Sequence, residues 1–158
     1  MDGISFASAI TGLLQAGEKV IGFLCAMADA PSTARDVLTE VHALQAIFRQ
    51  LHVLTSAPNR QSAARGSRIQ LHDLVVTLTG CVKTFSELDV KLKELGAGTD
   101  GAALTTFERA KWAVKDGDIA KILRNLQMHK ASLGLMVSIH SWFVHRPVVS
   151  NSWAARFC

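Results

Sequence analysis

Between Leu71 and Leu95, eight large apolar residues recur at steps of three and four: Leu71, Leu74, Leu78, Val82, Phe85, Leu88, Leu92 and Leu95. That step gathers all eight on one face of a helix and scatters them over both faces of a strand. A helix of about seven turns with a single apolar stripe cannot stand alone in water. It needs other helices with stripes of their own, and the sequence supplies them.

Val37, Val41, Leu44, Phe48 and Leu51 repeat the pattern in a segment from about Thr33 to Leu54, with Arg35, Glu40, Arg49 and Gln50 off the stripe. Ile10, Leu13, Leu14, Val20, Ile21 and Leu24 carry it from Ser5 to Ala28. Pro31 can open the second helix, because a first turn does not need the missing N–H. Pro58-Asn59 and Gly66 mark a polar loop before the third helix, which runs from Ser67 to Leu95. Thr106 caps a shorter fourth helix from Phe107 to Lys115; Asp116-Gly117 reads as a turn; a fifth helix then runs from Ile119 to His140. Ile119, Leu123, Leu126, Leu133, Val137 and His140 form its stripe. Lys130 interrupts that stripe, so its stem should pack while its ammonium reaches water or an acid. No segment alternates apolar with polar residues, and only three prolines and no tyrosine are present. The expected fold is all-α, a four- or five-helix bundle over residues 1–140, with a poorly ordered C-terminal tail at 141–158.

The net charge of +4 is unevenly spread. No acid follows Asp118, while Lys121, Arg124, Lys130, Arg146 and Arg156 do. A second acid-free stretch between Glu40 and Asp73 holds Arg49, Arg60, Arg65 and Arg68. Arg60, Arg65, Arg68, Lys121, Arg124 and Lys130 are therefore the candidate basic contacts, suited to acidic protein faces or anionic headgroups. Nucleic acid is not expected as a partner. Cys25, Cys81 and Cys158 form no CxxC pair and read as reduced thiols filling core space.

Signatures of chemistry do not assemble. Gly96 to Gly101 spells GxGxxG, but it follows Lys91-Leu92-Lys93-Glu94-Leu95, the basic end of a helix, where a dinucleotide site needs a strand. The six histidines form no HExxH, and no serine sits in GxSxG. No enzyme, cofactor or metal is expected.

The N-terminal helix holds only Glu18 and Lys19 as charges between Ile4 and Ala28, a length that would also span a bilayer. Each of those charges costs about 2.5–3.5 kcal/mol at mid-depth. Insertion of this helix alone is thus marginal, and a place in the bundle is the default. Ser8, Gly12 and Ala16 form a small-residue ridge beside Leu13, able to bring a helix close in a membrane or in a soluble bundle. Ser8, Gly12, Leu13 and Ala16 are the candidate membrane or partner helix.

Met1-Asp2-Gly3-Ile4-Ser5-Phe6-Ala7-Ser8-Ala9-Ile10-Thr11-Gly12-Leu13-Leu14, then Ala30 to Val41, Phe107-Glu108-Arg109-Ala110-Lys111-Trp112-Ala113-Val114-Lys115, and Ile119 to Met136 occur in an order that resembles the fungal N-terminal domain of STAND (NLR-like) proteins. The same domain is described as the azaphilone-pigment-cluster protein L type, and it is similar to HeLo-like domains. The resemblance covers about residues 1–140. It implies a non-enzymatic, cytoplasmic effector or adaptor module of NLR-like signalling, working through protein partners or homo-oligomers. The alternative it implies is a cell-death effector, membrane-associated on activation, whose N-terminal helix enters lipid.

Overall fold

Residues 3–27, 30–56, 67–95 and 106–145 are described by the computed structural model, with side chains over 7–27, 30–53, 72–95 and 110–139. They form four helices: α1 (Gly3–Ala26), α2 (Ser32–Ser56), α3 (Ser67–Glu94) and α4 (Thr106–His145). No strand occurs among the described residues, so the chain is an all-α bundle.

Local chemistry sets most of the helix ends. The Pro31 carbonyl accepts the first bond of α2 from the Arg35 N–H at 3.2 Å, placing the proline where its missing donor costs nothing. The last turn of α3 tightens as the Leu95 N–H reaches both the Lys91 and Leu92 carbonyls, at 3.1 and 3.2 Å.

The expected break at Asp116-Gly117 does not occur. One helix of 40 residues, about 60 Å long, replaces the two that were read. A lone glycine costs a helix about 1 kcal/mol, too little to end it when the flanking turns are held. Here they are. Trp112, Ile119, Ile122, Leu126 and Leu133 are all buried, so the apolar stripe continues through the glycine without a change of face. Polar contacts pin the same turn: Lys115 pairs with Glu94, Asp116 accepts from the Thr33 hydroxyl, and Asp118 pairs with Lys91. α4 also runs to His145, beyond the expected limit at His140. The remaining tail residues lie outside the described ones.

The helices pack in the cyclic order α1, α2, α4, α3. α1 and α2 pack together and are only five residues apart in sequence, a link too short to carry the chain back to the other end, so that pair is antiparallel. Gly80 against His129 and Lys91 against Asp118 make α3 and α4 antiparallel as well. Thr33 with Asp116 and Glu40 with Lys130 make α2 and α4 parallel. α2 and α3 follow one another in the sequence, and short links ordinarily make such helices neighbours. Instead α2 and α3 occupy opposite corners and meet only across the core, where the Phe48 and Phe85 rings lie 6.3 Å apart.

The core follows the stripes: Ile10, Leu13, Val20 and Leu24; Val37, Val41, Leu44, Phe48 and Leu51; Leu78, Phe85, Leu88, Leu92 and Leu95. Val82 is the exception. It is half exposed, and Cys81 occupies the core position beside it. The inward line of α3 is Leu78-Cys81-Phe85-Leu88-Leu92, and Val82 falls a further 100° round the helix from Cys81.

Candidate contact surface

Among the described residues, the polar groups inside the bundle tie one helix to the next. Gln45 donates from Nε2 to the Leu14 carbonyl at 3.1 Å. This is possible because Gly17 has no side chain: a Cβ there would stand 2.9 Å from the same nitrogen. Gly80 plays that part between α3 and α4, where a Cβ would stand 2.7 Å from Cε1 of His129. His129 Nε2 lies 3.0 Å from Thr84 Oγ1 in a hydrogen bond. Partial burial holds this imidazole below its usual range, against a backbone hydrogen bond at Gly80 that favours the charged form.

Lys130 behaves as its place in the stripe predicts. Its ammonium lies 2.6 Å from Oε2 of the buried Glu40. Nothing else among the described residues bonds that oxygen, so the lysine charge is what compensates its burial. At the end of the bundle where α4 meets the N-terminus of α2, Lys91 bridges Asp118 at 3.0 Å and Glu94 at 3.5 Å, and Lys115 reaches Glu94 at 2.9 Å. Hydrogen bonds from Lys91 and Lys115 hold the Asp118 and Glu94 carboxyls, respectively, below the usual carboxylate range. These exposed pairs tie α3 to α4 and contribute modestly to stability.

The candidate residues separate on folding. Ser8 is exposed and Gly12 faces open space, whereas Leu13 is buried in the core and Ala16 packs against it. The ridge therefore presents its first two residues outward, and the close approach to α2 comes at Gly17, one residue beyond it. Of the basic candidates, Lys121 and Arg124 stand exposed on α4. Lys130 is turned toward α2 and engaged by Glu40. Arg60 and Arg65 lie outside the described residues, and Arg68 lies in the first turn of α3, where no side chain is described. So do the GxGxxG glycines and Cys158 fall outside them. Cys81 is buried, and burial pushes its thiol up to about 12. Cys25 is exposed, contrary to the reading of core-filling thiols, because it sits one position past Leu24 on the outer side of α1. Among the described residues no three His, Cys, Asp or Glu side chains gather where they could hold a metal.

Sequence reading missed where the unused apolar surface lies. α1 is the most apolar helix, and Ala7–Ala26 is long and apolar enough to cross a membrane. Yet its outward positions are Ser8, Thr11, Gly12, Gln15, Glu18, Lys19, Gly22, Cys25 and Ala26, none of them large and apolar. The exposed large apolar side chains are Val53 on α2, then Val76, Val82 and Val90 on α3, and Val114, Met128 and Leu135 on α4. The signal was available in the spacing: Val114, Lys121, Met128 and Leu135 recur every seven residues, off the core stripe. Comparison with protein families, with characterised proteins and with solved structures finds no match.

Proposed function

We propose that this chain is a non-enzymatic helical effector or adaptor module that acts through protein–protein contacts, in NLR-like signalling as the resemblance of its sequence blocks implies. The observation that carries the proposal is the placement of exposed apolar side chains on the neighbouring helices α3 and α4, beside two cations, Lys121 and Arg124, that form no ion pair among the described residues. Surface of that composition suits association with another protein. The module works folded, with α1 kept in the bundle by Ile10, Leu13, Val20 and Leu24.

One observation favours a second reading, a membrane-active effector: the Ala7–Ala26 stretch has spanning length, and only 28% of its most apolar window is buried. Dye leakage from anionic vesicles separates the two. Leu13→Glu is unsuitable because Leu13 is a core residue, but Gly12→Leu alters the open face of α1 alone. The contact-module reading predicts leakage no greater than from vesicles without protein. Leakage that Gly12→Leu abolishes would establish the membrane reading in its place.

A further inference from the structure

We infer that the outer face of the α3–α4 pair docks an acidic amphipathic helix of a partner protein, an inference that rests on the contact-module reading and names its surface and ligand. α3 and α4 run antiparallel, and at mid-length the missing side chain of Gly80 lets the His129 ring pack against α3, so the two helices present one joined outer face. The register that Gly80–His129 and Lys91–Asp118 set puts Val76 level with residues 132–135 of α4, and Val90 level with residues 119–121. Val76, Val90, Met128 and Leu135 are 57%, 50%, 63% and 63% exposed, which places apolar side chains on both helices at intervals along that face. From Lys121 to Leu135 the face is about 21 Å long, four turns of a docked helix.

Charge selects the occupant. Lys121 and Arg124 form no ion pair among the described residues, and α4 carries no acid after Asp118. On α3, Lys83 and Lys93 are balanced by Glu87 and Asp89 one turn away. Asp118, one turn before Lys121, is bridged by Lys91, so the face is apolar toward Leu135 and carries a net positive charge toward Lys121. A second copy of this face brings the same two cations, while its acids Glu87, Asp89 and Asp118 are already engaged by Lys83, Lys93 and Lys91, so it lacks the complement. A partner helix with large apolar residues at i, i+3 or i+4, and i+7, and with carboxylates at the end meeting Lys121 and Arg124, supplies both.

The test titrates the full chain with a synthetic 20-residue amphipathic peptide of Leu, Ala and Glu at helical period, and with its counterpart carrying Lys for Glu. The acidic peptide should bind and the basic one should not. Met128→Glu and Leu135→Glu should each weaken binding about tenfold, the scale of a central apolar contact. Arg124→Glu should weaken it as well, and added salt should reduce what remains. All three positions are exposed, and unchanged helical dichroism in each variant shows that the bundle is intact. Equal binding of both peptides, or failure of the acidic one to bind, overturns the inference. Binding of the acidic peptide that ignores all three variants removes this face while leaving the contact-module reading in place. Capture by phosphatidylserine vesicles that the same variants abolish assigns the face to lipid, and a dimer in sedimentation that Leu135→Glu dissociates assigns it to a second copy; either result overturns the inference.

Discussion

Replacing Gly117 by alanine tests the unbroken α4 helix, on which the register of every contact to α2 and α3 depends. Gly117 lies inside the helix, away from both ends, and a Cβ built on it meets nothing within 4 Å. The position is exposed, so the new methyl gains little by burial. What remains is the backbone term. Alanine loses less conformational freedom than glycine on entering a helix, and the difference is about 1 kcal/mol. Gly117→Ala should therefore stabilise the protein by about 1 kcal/mol, raising the midpoint of thermal unfolding by about 2–4 °C for a chain of this size. The assay is unfolding by heat and by urea, followed by helical dichroism. Gly80→Ala gains the same backbone term but sets a Cβ 2.7 Å from the His129 ring, and displacing that ring from its bond to Thr84 costs about 1–3 kcal/mol, so the net change should lie between none and a loss of about 2 kcal/mol. If Gly117→Ala lowered stability by 1 kcal/mol or more, residues 116–117 would be a turn that needs glycine, and α4 would be two helices.

Three further outcomes follow from the interior. Lys130→Met strands the Glu40 carboxylate, and because the lysine is partly exposed the loss should be about 2 kcal/mol, below the range for a fully buried pair; adding Glu40→Leu should recover most of it in urea titrations. Mass-mapped labelling with a maleimide should modify Cys25 within minutes in the native protein and Cys81 only on unfolding, since its thiol is buried and pushed up to about 12. Stability should fall as pH drops below about 6.5, where the unfolded chain protonates His129 and the folded chain, with its imidazole held lower, does not. His129→Asn should flatten that part of the profile, and a profile unchanged by the substitution would mean that burial of this ring does not set it.

The stripes were legible because period 3.6 leaves only one way to bury them. All five stripe residues of α2, from Val37 to Leu51, are in the core. The bundle's plan was less legible. The Asp116-Gly117 pair carries an ordinary turn signal, and the groups that override it, Thr33, Lys91 and Glu94, come from other helices. The diagonal placement of α2 and α3 was hidden for the same reason, since nothing within a stripe says which neighbour receives it. Lys130 was legible as a stripe lysine whose ammonium pairs, but its acid lies on α2 and could not be chosen from among the carboxylates by spacing. As for the candidate surface, Lys121 and Arg124 stood out by charge. Their companions Met128 and Leu135 did not, because an exposed apolar residue has the same letter as a buried one until the inward face of its helix is known.

Hydrogen exchange of the α1 amides, in the full chain with and without anionic vesicles, most directly tests whether this module acts as a folded contact surface. The account predicts that amides from Ile10 to Leu24 exchange slowly and at the same rates in both conditions, because Ile10, Leu13, Val20 and Leu24 stay in the core. Loss of protection throughout the bundle, with retained protection confined to a lipid-bound α1, would contradict it.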